Sequence, residues 1–432
     1  MINDNDQRAL SKQQIDSVIV LYSSGQFQEA IDAIKALNDE FPNVPLFFNI
    51  LGACYKALGE LEESIRMFET AIIIKPDYAE AYKNLGISYK NLGQLDAAVK
   101  SFKQATMIEP SYVDAYYNLA ITHKELGQLN AAVKSYEKLL TINPNFAEAH
   151  NNLGNALKDL ELLDDAVISY KKAITINPNF AEAHNNLGNT LKDLELLDDA
   201  VISYKKAITI NANFAEAYYN KGIVLKKLRK LDEAVISFEN AIDINPDYPE
   251  ALNNLGITFS ELGKILPAID CYEKAIAIKP DYAYANNNLG NVFNEIRKRK
   301  AAVRCYENAI AINPDYAEAH SNLGNILRNL KQRDKALICY MRAYKIKPDM
   351  DFIFGDVLNT KMHLCFWDDL PSQLKLLKNK INNNKKVIAP FNLLGLIDDP
   401  GLQGKATEIY ANEEFPKNNI LPSIGLYPKH KK

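Results

Sequence analysis

The side chains that could make specific contacts recur at a fixed spacing. An asparagine stands at intervals of 34 residues in eight successive positions: Asn84, Asn118, Asn152, Asn186, Asn220, Asn254, Asn288 and Asn322. A side-chain amide offers two N–H donors and an acceptor oxygen. It can therefore pair with the N–H and C=O groups of a peptide backbone without reading side chains. The chemistry available at this spacing is hydrogen bonding rather than bond making.

Groups that could ligate metal or act as nucleophiles do not converge in the sequence. Three cysteines share the 34-residue interval: Cys271, Cys305 and Cys339. They occupy equivalent positions in successive units, and no CxxC pair or histidine at ligand spacing accompanies them. The histidines at 150, 184 and 320 share one aromatic packing position. Without a phosphate-binding glycine loop or a nucleophile–base pair, we predict no catalytic residue, no metal and no cofactor.

Prolines follow the same interval and reveal a repeat. They stand at 42, 76, 110, 144, 178, 246, 280, 314 and 348, and Ala212 fills the skipped position. A period of 34 residues is typical of the tetratricopeptide repeat (TPR), a helix–turn–helix unit that stacks on its neighbours into a solenoid. The sequence therefore predicts a right-handed superhelix of all-α repeats.

The repeat 79–112 shows how one unit is built. Its packing residues, at positions 4, 7, 8, 11, 20, 24, 27 and 32, are Tyr82, Leu85, Gly86, Tyr89, Ala98, Phe102, Ala105 and Pro110. We expect a first helix over about positions 1–14 and a second over about 18–31. Small residues at positions 8 and 20 let the two helices approach. The proline ends the second helix, and the Asp or Asn after it should cap the next first helix.

Ten repeats fit this pattern: 11–44, 45–78, 79–112, 113–146, 147–180, 181–214, 215–248, 249–282, 283–316 and 317–350. The repeats 147–180 and 181–214 differ at two positions only, as expected of a recent duplication. The predicted organisation is a polar tail over 1–10, ten repeats over 11–350, and a helical linker over 351–432.

The recurring asparagine occupies position 6, which helical geometry places opposite the packing residues. Positions 2, 6, 9 and 13 form one stripe along the first helix, which should line the inner groove of the solenoid. Helices pack about 8–10 Å apart and an extended chain rises about 3.3 Å per residue, so one asparagine could hold a bound backbone every three residues. Alternatively, this asparagine bonds to a neighbouring helix or persists because the repeats were copied.

Position 2 of the same stripe is acidic in seven repeats: Glu80, Asp114, Glu148, Glu182, Glu216, Glu250 and Glu318. An acid at a helix start stabilises the helix through its macrodipole. The same acids could instead select the ligand of the groove. Both interpretations stay open at the level of sequence.

After Pro348 the period fades and other motifs appear. Asp399-Pro400 is typical of an N-cap and first residue of a helix, and the residues 365–381 predict another helix. The motifs C-x-W-D-D, V-I-x-P-F-x-L-L and D-x-P-x-L-Q-x-x-A-x-x-Y-A are carried by Cys365, Trp367, Asp368, Asp369, Val387, Ile388, Pro390, Phe391, Leu393, Leu394, Asp398, Pro400, Leu402, Gln403, Ala406, Tyr410 and Ala411.

With the asparagines at position 6, these motifs resemble the protein O-GlcNAc transferase family, close to its bacterial and SPINDLY-type members. In that family, the segment joins the solenoid to a Rossmann-like glycosyltransferase domain that uses a nucleotide sugar, and the basic residues 427–432 resemble the lead into that domain. The catalytic domain is absent from these 432 residues. No catalytic or sugar-nucleotide residue can therefore be carried over.

The composition of the chain argues against several other classes of protein. The formal net charge is −4, so no basic field favours nucleic acid or acidic lipid. The polar, acidic start does not resemble a secretory signal, and no apolar run is long enough to cross a bilayer. Five cysteines are too few for a disulfide scaffold, which favours the cytoplasm.

The function expected from sequence is a protein- or peptide-binding TPR module, as the substrate-recognition part of an O-GlcNAc-transferase-like enzyme. The alternatives are a stand-alone scaffold for complex assembly and an adaptor that grips C-terminal carboxylates. The adaptor would need several Lys or Arg residues that converge with asparagine. A terminal repeat with an unpaired face would favour a homodimer, unless 351–415 cover that face.

Overall fold

A computed structural model describes residues 10–414 of the chain. Over these residues it contains α-helices and no β-strand, which confirms the all-α class. The helices are α1 Lys12–Ser23, α2 Phe27–Glu40, α3 Pro45–Ala57, α4 Leu61–Ile74, α5 Ala79–Asn91, α6 Leu95–Ile108, α7 Val113–Glu125, α8 Leu129–Ile142, α9 Ala147–Asp159, α10 Leu163–Ile176, α11 Ala181–Asp193, α12 Leu197–Ile210, α13 Ala215–Lys227, α14 Leu231–Ile244, α15 Pro249–Glu261, α16 Ile265–Ile278, α17 Ala283–Glu295, α18 Arg299–Ile312, α19 Ala317–Asn329, α20 Arg333–Ile346, α21 Ile353–His363, α22 Leu370–Asn382, α23 Pro390–Leu394 and α24 Pro400–Glu414. The predicted tail 1–10, except Leu10, and the basic stretch 427–432 lie outside the described residues.

Each repeat holds one pair of helices, as its period predicts. From the second repeat onward the first helix covers positions 1–13 and the second covers positions 17–30, slightly less than expected. In the turn between the two helices, the backbone of the residue at position 15 adopts a positive φ angle, in the left-handed region. Glycine fills that position in five repeats, whereas non-glycine residues with φ near +60° fill it in the others: Glu161, Glu195, Arg229, Arg297 and Lys331.

The predicted Asp or Asn N-cap of the first helix is wrong. The N-cap is the residue at position 34, Val44 before α3 and an aromatic residue such as Phe180 before α11, and its side chain makes no capping hydrogen bond. The polar bond at this junction is made two residues before the predicted cap, Asn179. The Asn177 side-chain oxygen accepts a hydrogen bond from the backbone N–H of Asn179 at 3.1 Å, which closes an Asx turn around the proline.

The two helices of a repeat meet where glycine faces an aromatic ring. A Cβ atom on Gly154 would lie 2.6 Å from the ring of Tyr170, and the same approach recurs at Gly188 and Tyr204. These rings are fully buried. The first repeat replaces the pair with Val18 and Ile34, which explains why it departs from the Leu-Gly pattern.

The chain divides into two compact units, Met1–Val224 and Leu225–Lys432, and the boundary falls inside α13. Within the first unit, the first helices of successive repeats pack directly on one another, as α5 does on α3 and α7. Within the second unit, α17 packs in the same way on α15 and α19. In each unit the first helices therefore present one continuous face.

Over residues 351–414, the part of this region that the structure describes, the chain folds into four helices with a core of their own. Leu358, Leu377 and Leu393 are fully buried in this core. The start of α21 is capped by backbone, because Phe352 and Gly355 donate their N–H groups to the carbonyls of Lys386 and Val387, at 2.7 and 2.8 Å.

The predicted N-cap at Asp399 is confirmed. Its side-chain oxygen accepts a hydrogen bond from the backbone N–H of Leu402 at 3.1 Å, at the start of α24. The residues 365–381 also contain the predicted helix, as α22. The boundary at 350 between repeats and linker stays a prediction.

Candidate functional site

The candidate site is the surface that the first helices present at positions 2, 5, 6, 9, 12 and 13, which we call the first-helix face. Position 6 is half-buried on this face in most repeats, and Asn84 is the most enclosed, at 8% exposure. The eight asparagines predicted from the sequence therefore lie on corresponding places of successive first helices. Within each unit they are brought to one face.

Most of these amides already bond to the preceding repeat. The Nδ2 group at position 6 donates to the side-chain oxygen at position 5 one repeat earlier, in the pairs Asn84–Asn49, Asn186–Asn151, Asn220–Asn185, Asn288–Asn253 and Asn322–Asn287, at 3.0, 3.1, 3.2, 3.0 and 3.0 Å. Asn152 follows the same rule and donates to the hydroxyl of Tyr117 at 3.0 Å.

Two amides depart from the rule. Asn118 and Asn254 donate to backbone carbonyls of their own helices, at Asp114 and Glu250, with distances of 2.8 and 3.0 Å. The common contact nevertheless gives position 6 a structural reason to recur, because it fixes the register of neighbouring repeats. This is the alternative that the sequence left open, and it accounts for one N–H of most amides.

Position 5 is the part of this network that sequence reasoning missed. In the doubled segment His-Asn-Asn-Leu-Gly-Asn, Asn152 donates toward the preceding repeat, whereas Asn151 accepts from Asn186 of the following one. Asn151 and Asn185 are buried, at 6% and 2% exposure. The sequence did offer a sign of this role, because a second asparagine stands beside the first. Adjacent helix positions point in different directions, so the two asparagines must have different partners.

Position 9 has a partner within its own repeat. The hydroxyl at position 24 donates to the asparagine oxygen at position 9 in the pairs Tyr170–Asn155, Tyr204–Asn189, Tyr306–Asn291 and Tyr340–Asn325, at 2.8, 2.8, 2.7 and 2.9 Å. A buried tyrosine hydroxyl needs an acceptor. These asparagines therefore serve the core, and the repeats with phenylalanine at position 24 carry Ala or Ile at position 9.

Charged residues pair across repeats at the far end of the first helix. Lysine at position 12 meets an acid at position 13 of the next repeat in the pairs Lys90–Glu125, Lys124–Asp159 and Lys158–Asp193, at 2.9, 3.2 and 3.3 Å. Sequence analysis missed this row too. The pairs cancel charge at this edge of the first-helix face.

The acids at position 2 differ between the two units. In the second unit, Glu250 pairs with Lys279 at 3.3 Å and Glu318 with Lys347 at 2.9 Å. Both lysines stand at position 31 of the same repeat. In the first unit that position is asparagine in three repeats, and the acids Asp114, Glu148 and Glu182 are exposed and form no ion pair within the described chain.

Two recesses open on the first-helix face of the first unit, and each contains an asparagine of position 6. One, of about 380 Å³, is lined by Ile121, Lys124, Glu125, Tyr136 and Asn152. The other, of about 260 Å³, is lined by Tyr22, Asn49, Ile50, Ala53, Lys56, Glu80, Lys83, Asn84 and Ile87. Burial, and then the charge of Lys83, lower the pKa of Lys56.

The histidines and cysteines set aside in the sequence lie away from this face. His150 is 7% exposed and its Nε2 atom lies 3.0 Å from the carbonyl oxygen of Pro144. Burial lowers the pKa of its ring. Burial raises the pKa of the Cys305 thiol to about 11, so this cysteine is a poor nucleophile. Over residues 10–414, no three His, Cys, Asp or Glu side chains converge on a possible metal position.

The C-terminal motif residues divide into two groups. Several are core residues of the last four helices, including Ile388, Leu393 and Ala406. Others are exposed: Trp367 at 52% and Phe391 at 84%. None of the described helices is long and apolar enough to cross a membrane.

Solved structures resemble parts of the chain. A crystal structure of MamA is 30% identical; the match covers 38% of this chain and 97% of MamA, with a TM-score of 0.37. A crystal structure of YrrB, titled a TPR protein with an unusual peptide-binding site, is 24% identical; the match covers 43% of this chain and 96% of YrrB, with a TM-score of 0.38. A C-terminal part of a TPR protein from Cytophaga hutchinsonii is 18% identical, with coverages of 56% and 98% and a TM-score of 0.49. No curated protein matches the chain.

Family models match most of the repeat region. The model described as TPR repeat matches residues 52–93, 88–127, 122–161, 154–195, 189–229 and 298–331. Models described as tetratricopeptide repeat match 213–281 and 317–350. Together these segments cover more than half of the 432 residues. The chain therefore belongs to the tetratricopeptide repeat family.

Proposed function

We propose that the chain is a protein-binding module whose first-helix face holds an extended polypeptide. The observation that carries this proposal is the pair of recesses on that face, each of which contains an asparagine of position 6 beside aromatic and charged side chains. A recess with an apolar wall and a few polar groups is the usual form of a binding site.

The hydrogen bonds between repeats leave the amides able to take part. An asparagine amide has two N–H groups and an oxygen with two lone pairs, and the contact to position 5 uses one N–H. Asn220 and Asn322 donate a second hydrogen bond, to Glu216 and Asn291, whereas within the described chain no second donation occurs at Asn84, Asn152, Asn186 and Asn288. No side-chain atom of the position-6 asparagines is buried without a partner. The network would hold the amides in place before a ligand arrives, which lowers the entropy lost on binding.

The charges of the first unit favour a basic segment as the ligand. Asp114, Glu148 and Glu182 are exposed without an ion pair, and aromatic residues stand two positions before them. Lysine and arginine side chains bind both groups, through charge and through cation–π contacts. Lys75 already lies over the ring of Tyr78, 5.2 Å from its centre. We therefore propose lysine- or arginine-containing extended segments as ligands.

The test compares labelled unstructured peptides by fluorescence anisotropy. We expect a lysine-containing peptide to bind, a glutamate-containing peptide of equal length to bind at least about tenfold more weakly, and added salt to reduce the difference. Binding that ignores peptide charge would refute the charge selection, and no binding by any extended peptide would refute the function.

The repeats offer a matched way to neutralise the acids. In the triple variant Asn143→Lys, Asn177→Lys and Asn211→Lys, each lysine stands where Lys279 and Lys347 pair with their acids in the second unit. We expect severalfold weaker binding of the lysine peptide. The control is Asn313→Lys, which makes the same change in a repeat whose position 2 is Tyr284. Equal loss in the control would contradict the proposal.

We further propose that the module is the substrate-recognition part of a protein glycosyltransferase of the O-GlcNAc transferase type. The C-terminal motifs support it, as do the exposed Trp367, Phe391 and Leu394, which are apolar residues suited to contact with a further domain. The test is to read the gene beyond the codon for Lys432. A frame that continues into a Rossmann-like domain supports the proposal, and a stop codon favours a stand-alone scaffold.

One observation favours the adaptor as a second candidate. Lys56 and Lys83 line the smaller recess together with Asn49 and Asn84. The two lysines outnumber its one acid, Glu80, which favours a carboxylate ligand. Sequence analysis had not connected these residues. If the recess holds a C-terminal carboxylate, amidation of the peptide C-terminus should abolish binding, as should Lys56→Ala. Unchanged affinity for the amidated peptide would exclude this candidate.

A further inference from the structure

Basic residues are concentrated at the C-terminal end of the repeat region, although the formal net charge of the chain is −4. The segment from Glu295 to Arg304 contains five basic residues and one acid. At the corresponding turn of the repeat 147–180, Glu161, Asp164 and Asp165 are acidic. The overall charge therefore does not reveal a strongly basic region in the second unit.

This region, which we call the basic outer face, lies on α18, on α20 and on the turns before them. It consists of eight exposed cations: Arg297, Lys298, Arg299, Lys300, Arg304, Lys331, Lys335 and Lys345. The two helices are neighbours in the second unit, because residues of both line one crevice. Arg304 and Ile338 occupy position 22 of successive stacked repeats, so the outer sides of α18 and α20 face the same way.

The eight cations form no ion pair within residues 10–414. The ion pairs of the same two repeats are made by other cations, Arg328, Arg342 and Lys347. Lys298 lies over the ring of Phe293, 5.9 Å from its centre, and remains exposed. Between residues 295 and 345, all of which the structure describes, only three acids are likewise without an ion pair: Glu295, Glu307 and Asp334. The face therefore carries an excess of uncompensated positive charge.

The basic start of α18 is unfavourable for the fold itself. Arg299 and Lys300 occupy its first turn, where a cation opposes the helix macrodipole, and no side chain caps the helix. By contrast, α14 has Asp232 and Glu233 in its first turn. Adjacent cations also repel one another. An anion outside the molecule would relieve this repulsion, so the arrangement is suited to an external ligand with many negative charges.

Two exposed apolar side chains lie among these cations. On the outer side of α20, Ile338 and Met341 are 68% and 49% exposed. Lys335 stands three residues before Ile338, and Lys345 stands four residues after Met341, so all four side chains share one side of the helix. A largely apolar crevice of about 440 Å³ opens beside Ile338, between α18 and α20. The face therefore combines basic groups with apolar side chains that are available for contact.

This combination favours an anionic bilayer over other ligands with many negative charges. Single-stranded nucleic acid binds through aromatic side chains on which its bases stack, and no aromatic side chain from Phe293 to Lys345 is exposed. An acidic peptide would pair with the cations but would leave Ile338 and Met341 in water. At a membrane surface, cations attract acidic headgroups, and apolar side chains enter the boundary between headgroups and acyl chains.

We propose that the basic outer face binds the surface of a membrane that contains anionic lipids. The chain then lies on the bilayer through this face, with Ile338 and Met341 in contact with the lipid. The attraction between exposed cations and acidic headgroups falls off over a Debye length, about 8 Å at physiological ionic strength, so binding weakens as salt is added. The first-helix face consists of other residues, and the membrane contact does not depend on the peptide ligand proposed for it.

The experiment measures co-sedimentation of the full chain with two kinds of vesicle, phosphatidylcholine alone and phosphatidylcholine mixed with phosphatidylglycerol. We expect binding to the mixed vesicles to be at least about tenfold tighter at low salt, and high salt to remove this preference. A charge variant with Arg297→Gln, Lys298→Gln, Arg299→Gln, Lys300→Gln and Arg304→Gln should lose the preference. The basic residues 427–432 are present in every variant, so they cannot account for a difference between variants.

A matched control removes the same number of exposed cations from the first unit, through Lys35→Gln, Lys100→Gln, Lys103→Gln, Lys134→Gln and Lys138→Gln. This control should keep the preference for mixed vesicles. The charge variant should stay folded, as checked by circular dichroism, because glutamine at the start of α18 relieves the conflict with the macrodipole.

An apolar variant separates a membrane from other polyanions. Ile338→Ser with Met341→Ser should bind the mixed vesicles severalfold more weakly, whereas its affinity for soluble inorganic polyphosphate should equal that of the wild-type chain. Equal binding of the wild-type chain to both kinds of vesicle, or an equal loss in the first-unit control, would overturn the proposal. Full vesicle binding by the apolar variant would also overturn it, in favour of a site for polyanions in general.

Discussion

The adjacent asparagines of the repeat divide two roles between neighbouring positions. Asn186 at position 6 donates to the preceding repeat, and Asn185 at position 5 accepts from Asn220 in the following one. A hydrogen bond of this kind stabilises a fold by about 1 kcal/mol, and loss of one partner leaves a buried group unpaired. The strict recurrence of asparagine at position 6 thus follows in part from packing between repeats.

This residue-scale network could be predicted from the sequence only in part. Helical periodicity placed position 6 on the first-helix face, but it does not reveal which residue of the preceding repeat lies within 3 Å. That distance depends on how far each repeat is rotated against the next. The sequence therefore yielded Asn186 as a candidate but missed its partner, Asn151.

Buried histidines lead to a prediction for the pH dependence of stability. Burial lowers the pKa of His123, His150 and His184 below the ordinary value of 6.5. In the unfolded chain these histidines take up protons as the pH falls through 6.5, whereas in the folded chain they stay neutral to a lower pH. Their contribution to stability is thus complete above that pH and lost below it.

The expected result is a free energy of unfolding that decreases from about pH 7.5 to about pH 5.5, as measured by urea denaturation at each pH. A variant with His123→Gln, His150→Gln and His184→Gln should lose much of this decrease, because it lacks the groups responsible. An unchanged pH dependence in the variant would show that other groups cause it.

At the scale of elements, the helix pairs were predictable and their ends were not. The 34-residue period and the glycine–aromatic contact, as at Gly154 and Tyr170, fix which segments are helical. The expected Asp or Asn caps failed because an aromatic residue, such as Phe180, occupies the N-cap. The side chain of Phe180 makes no capping hydrogen bond, and Asn177 supplies the polar contact three residues earlier.

The turns between paired helices carry strain that substitution should relieve. Glu161 and Glu195 adopt φ of 62° and 61°, where the repeats of Gly93 and Gly127 use glycine. A side chain in this region costs about 1–2 kcal/mol, offset in part by the greater freedom of glycine in the unfolded chain.

We therefore expect Glu161→Gly and Glu195→Gly each to raise the free energy of unfolding by about 0.5–1 kcal/mol, as measured by chemical denaturation. The reciprocal control, Gly93→Ala, should lower it. A lower stability in both glutamate variants would mean that their side chains contribute contacts that outweigh the backbone strain.

At the scale of the molecule, the helices after the last repeat complete its core. Ile353 and Val357 of α21 lie in one buried cluster with Leu337 and Tyr340 of the last repeat. An ion pair of 2.7 Å between Arg328 of α19 and Asp356 of α21 also joins the last repeat to the helix after it. The last repeat therefore depends on residues that carry no repeat signature.

Truncation after Asp351 should expose that cluster. We expect amide protons of α19 and α20 to exchange much faster in the truncated chain, while those of α5 to α8 keep their protection, as measured by hydrogen–deuterium exchange. Arg328→Met in the full chain controls for loss of the ion pair alone and should have a smaller effect. Unaltered protection of α20 would show that the last repeat is stable by itself.

The proposed binding function concerns the first-helix face of the first unit, and two variant sets separate it from packing. Set one, Asn152→Ala, Asn186→Ala and Asn220→Ala, removes three donors at position 6. Set two, Tyr117→Phe, Asn151→Ala and Asn185→Ala, removes the acceptors of the same three hydrogen bonds and leaves position 6 intact. Both should lower stability by about 1 kcal/mol per bond.

The most direct measurement is therefore the affinity of both sets for one extended, lysine-containing peptide, under conditions in which both are fully folded. If position 6 holds the ligand, set one should bind at least about tenfold more weakly than the wild-type chain, and set two should bind nearly as well. Equal affinities in the two sets, whether both retained or both lost, would contradict a ladder of asparagines that grips the peptide backbone.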